Sequence, residues 1–184
     1  MTTRLTRTDP ETRRAKILTA ARWCFLNFGF AKTSLDDIAK RATISRTLLY
    51  KTFEDKEDIF SSVFDNWLVS RHPKAKEIAS GSGTPGERLL SISRLVAIEP
   101  YTEMAGAPMA AEFFDICERL DPEIDALHHR IVRECVATIL EDRLSAEVFL
   151  LALDGLFADA PNPTVMKERV ELLVEQFAPD SNRN

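Results

Sequence analysis

Residues 33 to 60 read Thr-Ser-Leu-Asp-Asp-Ile-Ala-Lys-Arg-Ala-Thr-Ile-Ser-Arg-Thr-Leu-Leu-Tyr-Lys-Thr-Phe-Glu-Asp-Lys-Glu-Asp-Ile-Phe. Two short helices around a tight turn, followed by the start of a third, account for this stretch. That is a helix-turn-helix, a unit that places its second helix in a DNA major groove.

The helix ends are written into the residues. Ser34 with Asp37 three positions on is a capping box. Leu35, Ile38, Ala39 and Ala42 then recur at helical spacing and give the short helix a buried face. Thr43-Ile44 is the turn. Ser45 is a good N-cap for the next helix, which carries Arg46 to Lys51. Asp55 caps a third helix, with Asp58 at its N3 position. Leu49 and Phe53, four apart, pack inward together, which turns Arg46, Thr47, Tyr50 and Lys51 outward.

Working outward, residues 1 to 8 read as an arm carrying Arg4 and Arg7. Asp9-Pro10-Glu11 opens a helix that runs to Phe28 and stops at Gly29. A long connecting helix is expected over 56 to about 72. Ser-Gly-Ser-Gly-Thr-Pro-Gly at 80 to 86 is a loop. Further helices are expected at about 86–98, 108–119, 122–142, 145–158 and 164–178, with breaks at Pro100, Pro108, Pro122 and Pro161/Pro163. With neither a strand pattern nor a repeat, the fold class is all-α.

At 184 residues, 45% apolar and 29% charged, the chain can bury a real core. There is no apolar run of membrane length and no signal-like start, and Cys24, Cys117 and Cys135 are isolated, which together point to a reduced, cytoplasmic protein. The net charge of -5 conceals a split. Residues 1–53 hold 11 Lys/Arg against 4 Asp/Glu, a net of +7, whereas residues 54–184 hold 13 against 25, a net of -12. A basic head on an acidic body is the charge pattern of a DNA-facing domain.

Arg14, Ile17, Leu18, Ala20, Ala21, Phe25 and Gly29-Phe30, followed by Ile38-Ala39, Ile44-Ser45, Leu49-Tyr50, Phe53 and Lys56-Glu57, resemble the N-terminal DNA-binding domain of TetR-family transcriptional regulators over residues 10 to 60. Thr43 departs from the family pattern, which has Gly there. If the turn needs positive φ, a β-branched residue costs about 1 kcal/mol or more. The resemblance implies two domains, 1–55 for DNA binding and 56–184 for effector binding and dimerisation. It also implies a homodimeric regulator, a repressor released by a small lipophilic or aromatic effector, acting on palindromic operator DNA.

The expected DNA contacts are Ser34, Ser45, Arg46, Thr47, Tyr50, Lys51 and Lys56, with Arg46 reading guanine and Lys56 meeting a phosphate as the family lysine does. Arg4 and Arg7 could enter a minor groove or sit on the backbone. Expected pocket liners are Trp67, Leu95, Met104, Met109, Phe113, Phe114, Cys117 and Leu127, whose bland alternative is ordinary core. The last two helices resemble the family's dimerisation pair, through Phe149, Leu150, Leu153, Leu156, Val170, Leu173 and Phe177; the same stripes could instead be intramolecular core.

His128-His129 does not suggest a metal site, because adjacent histidines leave a helix on different sides. No cofactor is expected. Nor is catalysis: there is no phosphate loop, nucleophile elbow or clustered acid-base set. The competing function is a helical protein-interaction module that keeps the regulator fold without an effector.

Overall fold

The computed structural model describes residues 9–120 and 122–179, without the side chains of Phe114, Cys117 and Glu118. Arg4 and Arg7 lie outside the described residues. Helices joined by turns and short irregular loops form what is described, and no strand occurs among these residues. The chain divides into two compact units, Met1–Asn66 with Ala107–Pro122, and Trp67–Gly106 with Glu123–Asn184.

In the first unit, α1 (Pro10–Phe28) is capped by Asp9, whose carboxylate accepts from the Thr12 amide, and ends at Gly29 with φ 81°. Gly29 is confined on a second count. A Cβ there would lie 2.8 Å from Glu112 Oε2 and 3.0 Å from Met109 Cε. The short helices α2 (Leu35–Arg41) and α3 (Arg46–Thr52) follow, then α4 (Lys56–Leu68). The expected caps form. Ser34 and Asp37 make the reciprocal box, and Ser45 accepts from the Leu48 amide at 3.3 Å. Asp55 accepts from the Asp58 amide at 2.8 Å, while Asp58 reaches back to the Glu54 amide at 2.9 Å.

Phenylalanines fill the centre of this unit. Phe60 stands 5.0 Å from Phe25, 5.3 Å edge-on from Phe30 and 5.0 Å from Phe113 between ring centres. Phe113 comes from α8 (Ala110–Leu120), so a segment distant in sequence completes the head. The Phe30 peptide is held from both sides: its N–H donates to Glu112 Oε1 at 3.1 Å and its carbonyl accepts from Lys56 Nζ at 2.8 Å.

The second unit holds α5 (His72–Ser80), α6 (Pro85–Ser93), α7 (Glu99–Met104), most of α9 (Pro122–Leu140), α10 (Arg143–Gly155) and α11 (Pro163–Phe177). Leu89, Ile92, Val136, Ile139, Phe149, Met166 and Val170 are buried at its centre. Two expected elements differ. The connecting helix stops at Leu68, tightens into a 3₁₀ turn at Val69–Arg71 and resumes at His72, where Pro73 sits harmlessly in the first turn of α5. Pro100 does not break the chain into a loop. A π turn over Arg94–Ile98 precedes it, with the Glu99 amide bonded five residues back to Arg94 O. The widened turn absorbs a residue that has no N–H and whose ring would press on the carbonyl four positions earlier.

A polar pair is buried among these apolar helices. His72 Nε2 and His128 Nδ1 are 3.1 Å apart and the rings stack. Burial, then the neighbouring His72, His129 and Arg71, lower the His128 pKa to about 4. A histidine kept neutral by the fold contributes stability above its unfolded pKa of about 6.5, and that stability is lost as pH falls toward 4.

Two measurements follow from these local features. In urea titrations, the pH drop from 7.5 to 5.0 should cost the wild type about 2 kcal/mol more than His128→Gln; equal losses would show that His128 does not titrate as described. Thr43 has φ 54°, left-handed backbone that a β-branched residue adopts at a cost. Thr43→Gly should therefore stabilise the head by about 0.5–1 kcal/mol after the extra unfolded-state entropy of glycine is counted, a gain of a few degrees in Tm. Thr43→Ala, which keeps Cβ, should gain less, and a glycine variant no more stable than wild type would contradict the strain.

A candidate DNA-reading surface

The surface begins with the geometry of the turn. Ile44 N–H reaches back to Ala39 O at 3.0 Å and Thr43 N–H to Lys40 O at 3.1 Å, so α2 ends in a closed turn before α3 starts. Leu49 and Phe53 are buried at 1% and 3% exposure. They fix the inner face of α3, and Arg14 lies over the Phe53 ring at 4.5 Å. With those two positions committed inward, Ser45, Arg46, Thr47, Tyr50 and Lys51 are all exposed. Tyr50 is 49% exposed, an unusual position for an aromatic ring with no buried role.

Arg46 is not loose on this surface. Its Nη1 is 3.1 Å from Asp36 Oδ2 on α2, and its Nη2 donates to the Tyr50 hydroxyl at 3.2 Å. The Tyr50 hydrogen bond, and then the Asp36 charge, raise the Arg46 pKa above its ordinary value. Ser34 is exposed, with its hydroxyl engaged in the capping box at the start of α2. Asp37 has its pKa lowered by the hydrogen bonds from Ser34.

Lys56, expected at a phosphate, has partners within the head. Its ammonium donates to Phe30 O at 2.8 Å and Thr33 O at 3.2 Å and lies 4.4 Å from the Phe30 ring centre. Two of its three protons are thus committed to the loop between α1 and α2, and the side chain first of all ties α4 to that loop. Sequence reasoning also missed Asp36 and Glu112. Asp36 precedes Arg46 by ten positions and Glu112 follows Phe30 by 82. Neither separation has a helical period, so no local pattern marks the pairs.

The expected pocket liners are distributed over both units. Met109 and Phe113 belong to the first unit, where Phe113 packs on Phe60. Trp67, Leu95, Met104 and Leu127 belong to the second. Trp67 is 5% exposed there and donates its indole N–H to Glu103 Oε2 at 2.9 Å. Arg71 pairs with the other oxygen of Glu103 at 2.8 Å. Phe114 and Cys117 lie outside the described side chains.

The residues expected at a dimer interface differ in burial within the single chain. Phe149, Leu153 and Val170 are buried at 0%, 3% and 0% in the protomer's own core, while Leu150, Leu156, Leu173 and Phe177 are half-buried against it. The same helices instead expose Leu144 at 68%, Val148 at 48%, Leu151 at 66% and Leu172 at 60%. Phe149, Leu153 and Val170 thus pack against neighbouring helices of the same chain. Among the described residues, no helix is long and apolar enough to cross a membrane, and no cluster of three or more His, Cys, Asp or Glu could hold a metal ion.

Comparison with known proteins places this geometry. The family described as bacterial regulatory proteins, tetR family, matches residues 17–63. The regulator HbdR of Aromatoleum sp. (strain CIB) is 35% identical over 85 residues, 45% of this chain and 37% of its own length. YhgD of Bacillus subtilis (strain 168), named as an HTH-type transcriptional regulator, is 35% identical over 65 residues, 35% of this chain and 34% of its own. The match therefore spans about a third of these relatives.

Among solved structures, a TetR-family transcriptional regulator from Bordetella parapertussis 12822 is 22% identical, with a TM-score of 0.62 over 93% of this chain and 96% of that one. SmeT, the repressor of the Stenotrophomonas maltophilia multidrug efflux pump SmeDEF, is 20% identical, with a TM-score of 0.66 over 89% and 87%. Its complex with triclosan gives 19% and 0.67 over 90% and 89%. These likenesses establish the all-α fold along the chain. The capped α2 and α3, the closed turn and the outward face of α3 occupy the segment that the family match covers, and over residues 17–63 the chain is similar to the tetR family of bacterial regulatory proteins.

Proposed function

We propose that this chain is a sequence-specific DNA-binding transcriptional regulator, acting as a two-fold dimer and repressing until a small molecule releases it. The observation that carries this reading is the exposed Arg46, Thr47, Tyr50 and Lys51 face, held on a rigid helix by the burial of Leu49 and Phe53. Such a face offers a guanine fork, a hydroxyl-methyl group, an aromatic phenol and a phosphate-seeking ammonium within two turns. The net +7 of residues 1–53 against -12 in the rest supports it, because phosphate is attracted to one end of the chain and repelled from the other.

Residues 1–55 are the proposed reading domain, and the remainder serves effector binding and pairing. Leu144, Val148 and Leu151 on α10, with Leu172 on α11, are the proposed pairing surface, since four large apolar side chains at 48–68% exposure want cover. Two copies would present two α3 helices to half-sites about 34–36 Å apart. Triclosan bound to SmeT supports an aromatic, lipophilic effector here, and Trp67, Leu95, Met104 and Leu127 are the proposed contacts. Effector control requires unequal affinity for the DNA-competent and released states. The reading describes a binding protein and asks no bond-making chemistry of any residue.

Selection from random duplex DNA tests the proposal. Wild type should enrich a palindrome with half-sites one helical turn apart. Arg46→Ala should lose about 1–3 kcal/mol of discrimination at one guanine per half-site, and Lys51→Ala should weaken all sequences alike with a smaller salt slope. No enrichment by the wild type at low salt would refute the reading.

A further inference from the structure

We infer that Asp36 is a specificity-determining residue: it holds the Arg46 guanidinium in the orientation that reads guanine and penalises DNA on which that contact is not made. The inference rests on the proposed function and deepens it. Asp36 lies in the first turn of α2 and Arg46 is the first residue of α3, so their contact spans the two helices of the motif. Nη1 of Arg46 is 3.1 Å from Asp36 Oδ2, and Nη2 donates to Tyr50 Oη at 3.2 Å. The guanidinium is thus gripped at both terminal nitrogens by groups on different helices, with its carbon 5.6 Å from the Tyr50 ring centre.

The arrangement is a poor stabilising device. Both side chains are well exposed, at 60% and 45%, and an ion pair in that setting contributes little to folding. Its consequence lies in what Arg46 can do next. A guanidinium has five N–H groups, and the two contacts use one from each Nη. The rest remain for a bidentate contact to guanine O6 and N7, which needs a planar fork at a defined angle. Holding that plane before DNA arrives removes rotamer freedom that would otherwise be lost on binding. Once a groove covers the pair and excludes water, the attraction strengthens further.

The carboxylate has a second effect. It is an acidic group on the face of a cationic reading head, where it repels phosphate. If Arg46 finds guanine, the network of three side chains stays closed and the charge is compensated. On a wrong sequence Arg46 must either leave Asp36 for a phosphate, exposing an uncompensated carboxylate to the backbone, or stay and bond nothing. Affinity for arbitrary DNA is thereby lowered more than affinity for the right site.

The test uses full-length protein and the duplex selected by wild type, beside a scrambled duplex, at two salt concentrations. Asp36→Ala should weaken the selected site about threefold and strengthen the scrambled one about threefold, cutting their ratio about tenfold. Asp36→Asn, which keeps an acceptor oxygen without the charge and guards against loss of the α2 start, should fall between. In an Arg46→Ala background, Asp36→Ala should leave the preference at the Arg46-dependent guanine unchanged. A fall in both affinities together, an unchanged ratio, or a full effect without Arg46 would overturn the role given to Asp36 while leaving the regulator reading intact. If wild type discriminates between no sequences, both readings fall.

Discussion

Everything that faces outward from the N-terminal unit depends on the burial of Phe60. Its ring meets Phe25 of α1, Phe30 of the following loop and Phe113 of α8 at centroid distances of 5.0 to 5.3 Å. Buried aromatic groups contribute large apolar area and prefer tilted or edge-on packing, as here. The cluster therefore fixes not only that α1, α4 and α8 associate but at which angle. The Phe30 peptide, clamped between Glu112 and Lys56, extends that constraint to the backbone. From this base α2 and α3 have little freedom left. Leu49, Phe53, Ile38 and Ala39 take the inner positions, and the polar residues of α3 have nowhere to go but out.

The second constraint is the turn at Thr43. Placing a β-branched residue at φ 54° opposes local preference, and the position is held by closure of the turn onto Ala39 and Lys40 and by the packing beneath it. A helix held by its surroundings against local cost is a rigid platform, which is what reading base edges demands. Arg46, Asp36 and Tyr50 then form a small network across that platform, so the geometry of the turn and the orientation of the guanidinium are linked. The second unit is organised by different means. Its helices bury aliphatic side chains around Phe149 and Val136, and it accepts a His72–His128 pair and a π turn before Pro100 as local irregularities.

Much of the head was legible because its signals are local. Capping residues, helical spacing and the inward Leu49–Phe53 pair all act within four residues, and each has the position expected of it. The positive φ at Thr43 was anticipated by a different route, as a condition raised by the glycine that the resembling family carries there. What escaped the sequence are contacts with no local period: Glu112 to Phe30, Lys56 to two loop carbonyls, and Asp36 to Arg46. The C-terminal helices show a subtler limit. An apolar stripe reports that a face will be buried but not against which chain, and Phe149, Leu153 and Val170 turned out to cover the protomer's own core while Leu144, Val148, Leu151 and Leu172 stayed exposed. Periodicity says nothing about which unit a helix joins, and Phe113 belongs to the head.

The claim on which the account turns is that α3 reads guanine edges in the major groove. Methylation interference tests it most directly, because a methyl group on guanine N7 blocks the major-groove edge that Arg46 would use. The account predicts that N7 methylation at one guanine in each half-site excludes wild-type binding, and that Arg46→Ala becomes indifferent to methylation at that same guanine. Interference confined to adenine N3 in the minor groove, or none at any guanine, would contradict it.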